Sequence, residues 1–202
     1  AEAQTSNYLI ENFILVVMLV FPMAATGAMM IPLLLIEEKE KRTLSFLLVS
    51  PASIADVVIG KALTGLMYSL AITGVVVALN QGWQGNWPVT FLALLLGLLF
   101  TVPVGLLLGA LFHNAMQLNT WGTVPIMLLL LPSWIATGQV LSPVLEVIMR
   151  LIPTYYLVDT LNLSLAGEGS LTQVGGNLAI LSGYTVVAFA AAIWVLRRRT
   201  RE

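Results

Sequence analysis

Apolar residues run through this chain in long stretches that are separated by short polar segments. Five stretches, roughly 13–36, 57–79, 89–112, 117–137 and 178–196, have the length of a membrane-spanning helix, which needs about 20 mostly apolar residues. None of them carries a charged residue near its centre. The pattern predicts an all-α integral membrane protein whose residues 1–202 form a single transmembrane domain with five spans.

Positively charged residues are divided unevenly between the loops. Four of the nine Lys and Arg residues lie in or beside the loop 37–56, and another four follow the last span. The alternate loops, 80–88 and 138–176, contain only Arg150. Because cytoplasmic loops are enriched in Lys and Arg, we expect 37–56 and the C-terminus to lie in the cytoplasm. Five spans then leave the N-terminus outside, although residues 1–12 carry no targeting signal, so the simplest interpretation is that an earlier span is missing.

The segment 138–176, between the fourth and fifth spans, contains two shorter apolar stretches. They cover 140–152 and 155–165, and Pro153 separates them. Each is about 12 residues long, which is too short to cross a bilayer but typical of re-entrant or interfacial helices. We therefore expect a helical hairpin on the outer side of the membrane.

Composition supports the membrane assignment and argues against several functions. Charged residues make up 9% of the chain and hydrophobic residues 58%, whereas a soluble domain carries about 25% charged residues. The net charge of −1 leaves no strongly basic face for nucleic acid. The chain has no cysteine, and its one histidine, His113, cannot build a multi-histidine metal site. We expect no catalytic residue, metal site or cofactor in this chain.

Small residues recur every four positions in the third predicted span, at Gly97, Thr101, Gly105 and Gly109. On an α-helix this spacing places all four on one face, where small side chains allow a neighbouring helix to approach closely. The spacing predicts a helix–helix contact along this face.

The loop 37–56 is the most unusual segment. It opens with six consecutive charged residues, 37–42, and then becomes apolar. Ser50-Pro51 is typical of a helix N-cap followed by proline at the first helical position. An exposed apolar cluster bordered by charge marks a contact with a partner or with a membrane surface. We expect a short amphipathic helix here that binds a cytoplasmic protein, and the alternative is that the cluster rests on the bilayer or on its own spans.

In order and spacing, these motifs resemble those of the membrane subunits of type-2 ABC exporters. The shared features are the charged run 37–42, then Thr43-Leu44-Ser45-Phe46-Leu47-Leu48, Ser50-Pro51 and Gly60-Lys61. The outer hairpin and a last span that ends in arginines are also similar. Many family members have glycine where Arg42 stands and glutamate where Ser45 stands. The resemblance covers nearly all of the chain and implies an N-terminally truncated domain that would have six spans when complete.

The resemblance implies a permease subunit that exports a hydrophobic or amphipathic substrate across the plasma membrane. ATP and Mg would bind to a separate cytoplasmic ATPase subunit. Residues 43–50 would form a coupling helix seated in that subunit, and the hairpin 140–165 would form the outer gate. A second permease copy or a paralogue would complete the substrate path within the lipid bilayer. The residues implied in coupling are Glu37, Glu38, Glu40, Arg42, Thr43, Leu44, Phe46, Leu47, Leu48, Ser50 and Pro51.

Two other interpretations of the sequence stay open. One is a membrane scaffold or assembly protein that translocates nothing. The other is an intramembrane protease, because Glu37-Glu38-Lys39-Glu40-Lys41-Arg42 fits the pattern E-E-x-x-x-R, which resembles a signature of the CAAX-type proteases. Those enzymes need histidines on other spans to complete a metal site, and this chain has one histidine.

Overall fold

The computed structural model describes residues 2–40, 54–79, 85–135, 143–167 and 169–199. Within these ranges the chain forms nine α-helices and one π-helical turn, and no strand. Five helical segments are long and apolar enough to cross a membrane, which confirms the prediction of an all-α membrane protein with five spans. They are Glu11–Glu37, Ala62–Leu79, Trp87–Leu111, Ala115–Ile135 and Leu171–Leu196.

The helices are numbered here in chain order. The first span consists of α1, a π turn and α2, and the remaining helices follow as α3 to α9. Their bounds are Glu2–Ala25 (α1), Thr26–Met30 (π turn), Ile31–Glu40 (α2), Ile54–Leu79 (α3), Trp87–Leu111 (α4), Ala115–Trp121 (α5), Thr123–Ile135 (α6), Pro143–Arg150 (α7), Pro153–Leu165 (α8) and Leu171–Arg199 (α9).

A proline accounts for the π turn in the first span. Pro32 has no N–H, so the carbonyl of Ala28, four residues earlier, has no helical donor. Immediately before this proline the hydrogen-bond spacing increases from four residues to five, and the N–H of Ile31 donates to the carbonyl of Thr26. The helix therefore continues through the membrane, with one turn of different pitch near its middle.

The fourth span, which the sequence placed at 117–137, consists of two helices within Ala115–Ile135. Helix α5 ends at Trp121, Gly122 follows as a turn, and α6 continues from Thr123. Pro125 explains the division, because it cannot donate to the carbonyl of Trp121 and its ring crowds that carbonyl.

The helix that contains the fifth span begins seven residues before the predicted start of that span at Leu178. Helix α9 starts at Leu171 and runs straight through Gly175 and Gly176. One half of a capping box starts it, in which the N–H of Ser170 donates to Oε1 of Gln173 at 3.1 Å. This cap and the following apolar run outweigh the cost of about 1 kcal/mol that each helical glycine carries relative to alanine.

Helix α8, the second half of the predicted hairpin, is embedded in the bundle. Its side chains of Leu157, Val158 and Leu161 are at most 2% exposed and share a core with α1, α4 and α9. The hydroxyl of Thr154 donates to the carbonyl oxygen of Leu129 in α6 at 2.7 Å, which fixes the start of α8 to the fourth span. Helix α8 is therefore part of the helical core that it forms with α1, α4 and α9.

Helix α7, the first half of the predicted hairpin, lies at the surface. Its exposed residues include Val144, Val147 and Ile148. Glu146 and Arg150 form an exposed ion pair of 2.7 Å one turn apart. The side-chain hydrogen bond that Arg150 donates to Glu146 is the main cause of the raised pKa of Arg150.

Helix α4 is the central helix and α3 is peripheral. In their most apolar stretches, 56% of the α4 residues are buried but only 17% of those of α3. Near its start α4 packs in the larger core with α1, α8 and α9, and near its end it joins Ile31, Leu35 and Ala192 in a second cluster. Most of α3 therefore faces away from the bundle.

The buried core of α8 gives a stability prediction. Leu161 is fully buried and Leu151, just after α7, is 69% exposed. We expect Leu161→Ala to lower the free energy of unfolding by about 2–4 kcal/mol, since a buried Leu→Ala change leaves a cavity. Leu151→Ala should change it by less than about 0.5 kcal/mol. Denaturant titration of the purified chain in detergent measures both, and equal effects would contradict the embedding of α8.

Candidate functional site

The charged end of α2 contacts the loop between the third and fourth spans. Oε1 of Glu40 accepts a hydrogen bond of 2.9 Å from the N–H of Ala115, the first residue of α5. The bond joins residues that are 75 positions apart in the sequence. It therefore connects the run 37–42, which the sequence singled out, to the start of the fourth span.

Local sequence explains why α5 begins where it does. Asn114 is the N-cap, and its Oδ1 accepts from the N–H of Gln117 at 2.8 Å. Oε1 of Gln117 accepts from the N–H of His113 at 3.0 Å. Glu40 accepts from one of the N–H groups that a helix start leaves without an intrahelical partner, and its negative charge suits the positive end of the helix dipole.

Most of the predicted coupling residues lie outside the described residues. Glu37, Glu38 and Glu40 belong to α2, where Glu37 is half-buried and Glu40 is exposed. The remaining positions, and the predicted coupling helix with them, fall in the range 41–53, which the structure does not describe. Their role in coupling stays a prediction. These positions are Arg42, Thr43, Leu44, Phe46, Leu47, Leu48, Ser50 and Pro51.

The four small residues of the third span face the first span and α8. A methyl group built on Gly97 would lie 2.5 Å from Cε of Met23, and one on Gly109 would lie 2.8 Å from Cδ1 of Leu35. Such distances are below any ordinary contact between carbon atoms, so a larger residue would require the Met23 or Leu35 side chain to move, and at Gly109 the backbone Cα of Pro32 is also only 3.1 Å away. The backbones of α4 and of the first span therefore lie almost in contact.

The π turn lies at the centre of this contact. A methyl group on Gly27, in the π turn, would lie 2.5 Å from Cβ of Thr101, and one on Gly105 would overlap the carbonyl oxygen of Gly27. The hydroxyl of Thr26 donates to the carbonyl oxygen of Pro22 at 2.6 Å. The widened turn is thus held from one side by α4 and from within by its own threonine.

Polar groups also join elements at the opposite end of the bundle. The N–H of Asn86 donates to the carbonyl of Ser164 at 2.9 Å, and the Ser164 hydroxyl donates to the carbonyl of Asn86 at 2.8 Å. Nδ2 of Asn86 donates to the carbonyl of Gly169 at 2.7 Å, and the hydroxyls of Thr90 and Ser164 are 2.7 Å apart. These bonds attach the start of α4 to the end of α8.

Gly85 allows this attachment. Its φ of +71° is in the left-handed region that favours glycine. A side chain at this position would also overlap the carbonyl oxygen of Ser164. The loop can therefore approach the end of α8 only with glycine here.

The polar contacts at both ends position helices. Hydroxyl, amide and carboxylate groups bond main-chain atoms or one another, and Nδ2 of Asn177 in α9 donates to Oδ2 of Asp159 in α8 at 2.7 Å. Among the described residues, no three His, Asp or Glu side chains lie together as a metal-ion site. Between the two polar ends, apolar side chains of α1, α4, α8 and α9 pack into one cluster, and the same helices also bury threonines such as Thr101 and Thr160.

Comparison with known families decides the identity of the chain. Residues 2–194 match the model of the family described as ABC-2 family transporter protein. The chain belongs to this family. No curated protein and no solved structure matches it.

An ABC-2 family transporter protein is the permease subunit of an ABC transporter, so this chain is a multi-pass membrane transport subunit. The suspected resemblance to type-2 ABC permeases is thereby confirmed. Sequence reasoning did not find the bond from Glu40 to α5, the π turn or the burial of α8 in this permease. The N-cap Asn114 with Gln117 three residues later was a readable signal for the start of α5, but no pattern indicated which side chain contacts it.

The interlocked backbones of the permease give a second prediction. Gly105→Val should place a branched side chain against Gly27 and Ile31. We expect the free energy of unfolding to fall by about 1–3 kcal/mol or more, as it does in overpacked cores. Gly183→Val in α9 is the matched control, because nothing lies within 4 Å of a methyl group there. Thermal unfolding of both variants in detergent measures the difference. If Gly105→Val were as stable as Gly183→Val, the close approach of α4 to the first span would be refuted.

Proposed function

We propose that this chain is the permease subunit of an ATP-driven exporter whose ATPase is a separate cytoplasmic polypeptide. The observation that carries the proposal is the family match over residues 2–194. ATP and Mg bind to the ATPase subunit, and the permease converts closure of that subunit into movement of its spans. A second copy of the permease, or a paralogue, completes the path of a hydrophobic or amphipathic substrate.

The distribution of charge supports an orientation with the Glu40 end in the cytoplasm of a plasma-membrane protein. Eight of the nine Lys and Arg residues lie near the end of α2, at the start of α3 or after residue 196. Near the hairpin of α7 and α8 the sequence has only Arg150. Cytoplasmic segments are the ones enriched in Lys and Arg, so the hairpin faces the outside and contributes the outer gate.

Force enters through residues 43–50 in this proposal. The apolar side chains of that segment bind the ATPase, and its displacement reaches α2 before it and α3 after it. The hydrogen bond between Glu40 and Ala115 passes the displacement of α2 on to the fourth span as well. Because α4 and the first span have almost no space between their backbones, a push on α2 moves both together.

The segment 43–50 gives the decisive test. Leu47→Asp or Phe46→Asp should remove ATPase binding while membrane insertion is retained, because a buried charge without a partner is costly in an apolar socket. Leu47→Met, which conserves volume and apolarity, is the matched control. Affinity purification with the cognate ATPase, together with membrane fractionation, measures the two effects. Recovery of the ATPase by Leu47→Asp at wild-type level would exclude this segment as the docking site.

The Glu40 bond gives a separate prediction about coupling. Glu40→Ala should leave ATPase binding unchanged but lower the substrate moved per ATP about two- to fivefold, since the start of α5 loses its acceptor and its favourable charge. Glu40→Gln keeps an acceptor oxygen, so the substrate that it moves per ATP should lie between the values for the wild type and for Glu40→Ala. Glu11→Ala, which removes an exposed carboxylate of α1 far from residue 40 in the sequence, is the control. Transport and ATP hydrolysis in proteoliposomes give the ratio, and an unchanged ratio in Glu40→Ala would rule out the branch to α5.

A further inference from the structure

The turn that joins α7 to α8 lies well inside the membrane-spanning part of the bundle. The hydroxyl of Tyr184 in α9 donates to the carbonyl oxygen of Leu151, in this turn, at 3.5 Å. Tyr184 is about 20 Å along the helix from Leu171, where the fifth candidate span begins, and about 18 Å from Leu196, where it ends. This contact places the turn near the middle of the fifth span.

Two contacts of α8 support this depth. Thr154, just after the turn, donates to the carbonyl of Leu129, which lies about 9 Å along the helix from the end of the fourth candidate span. A methyl group on Gly97 would lie 2.8 Å from Cδ2 of Leu157, and Gly97 is about 15 Å from the start of the third candidate span. The hairpin of α7 and α8 therefore re-enters the membrane, and its turn lies about 9–20 Å inside the ends of the neighbouring spans.

The ion pair of α7 is next to this turn. Arg150 directly precedes Leu151, so its backbone shares the depth of the turn. Its guanidinium bonds Glu146 at 2.7 Å, one helical turn or about 6 Å earlier. The phenol of Tyr155, in the first turn of α8, is a further polar neighbour of the guanidinium. Because the outer half of the hydrocarbon core is about 15 Å thick, this polar group lies at the level of the outer lipid tails.

A charged pair at this level is costly unless it faces water or protein. An arginine at the centre of a spanning helix costs about 2.5–3.5 kcal/mol on insertion scales, and intramembrane charges almost always face the bundle interior or a water-filled cavity. The pair does not face the bundle, because Arg150 and Glu146 are 60% and 41% exposed whereas Met149 is 3% exposed. A second copy pressed against the pair would exclude water from both charges, which is costly unless new hydrogen bonds replace it. Water is therefore the surrounding that suits the pair.

Helix α7 has a second exposed face, which is apolar. At 100° per residue this face lies about 130° around the helix from the charged pair, so the helix borders a polar and an apolar environment at one depth. This is the arrangement of a helix in the wall of a cavity. The apolar face consists of Val144, Val147, Ile148 and Leu151, which are between 49% and 72% exposed.

We propose that Glu146 and Arg150 line a water-filled cavity that opens to the outside and forms the outer part of the substrate path. The assignment to the path rests on the proposed function, which also supplies the orientation. In this cavity the polar part of an amphipathic substrate stays hydrated while it passes the level of the outer lipid tails.

Thiol labelling tests the cavity, because the chain has no cysteine and a single introduced thiol gives no background. Right-side-out membrane vesicles that contain the full chain are treated with the membrane-impermeant anion 2-sulfonatoethyl methanethiosulfonate. Arg150→Cys should react about tenfold faster than Gly183→Cys, since lipid excludes a charged reagent. Gly183 is the matched control, because it is exposed, adjoins Tyr184 and has nothing within 4 Å of an added methyl group. Equally slow rates would show that no water reaches Arg150, equally fast rates would place this level in the headgroup layer, and either result would overturn the cavity.

A variant that keeps the ion pair guards against an effect of the substitution itself. Tyr155→Cys places a thiol beside the intact pair, and it should also react about tenfold faster than Gly183→Cys. Fast labelling of Arg150→Cys together with slow labelling of Tyr155→Cys would show that water enters only when the pair is broken, which would refute the proposal. These measurements need neither the ATPase nor a substrate, so their outcome is separate from that of the ATPase-binding test.

The assignment to the substrate path has its own readout. The Tyr155→Cys permease is co-purified with its ATPase, reconstituted in vesicles and labelled with and without a non-hydrolysable ATP analogue. Because closure of the ATPase moves the spans in the proposed mechanism, the labelling rate should change by about threefold or more. A rate that the nucleotide leaves unchanged would separate the cavity from the path and overturn that assignment.

Discussion

The close contact between the first span and α4 is the constraint on which the rest of the structure depends. Lipid tails are as apolar as leucine, so helices in a bilayer associate through close packing and hydrogen bonds rather than through burial from water. Glycines on both sides bring the two backbones together around the π turn, with Gly27 against Thr101 and Gly105. This pair forms the centre of the bundle, and α8 and α9 pack against it.

Polar contacts are placed at the two ends of this apolar pair. At one end Glu40 bonds the start of α5, and at the other Asn86 and Ser164 join α4 to α8. Each contact links elements that are far apart in sequence, so a displacement at either end is shared by several spans. In the proposed mechanism, these links carry a displacement from the Glu40 end to several spans.

Helix α3 is the least buried of the five candidate spans, with 17% of its most apolar stretch buried against 22% for that of α9. It begins directly after the undescribed range 41–53, and an apolar groove of about 290 Å³ separates part of it from α4. In the proposed mechanism α3 receives the same push as α2, but it is not interlocked with α4 along its length.

The sequence by itself determined the all-α membrane class, the five spans and the family, because each depends on local properties: the length of an apolar run, a charge count, or the order of short motifs. Spacing alone also placed Gly97, Thr101, Gly105 and Gly109 on one helix face. Only the tertiary structure decided that Glu40 meets Ala115 and that α8 enters the core, since a 13-residue apolar helix is compatible with the membrane surface and with the interior of a bundle. Pro125 interrupts the helix of the fourth span, whereas Gly175 and Gly176 do not interrupt α9. Helix packing and capping determine which of these residues ends a helix, and neither can be calculated from residue types alone.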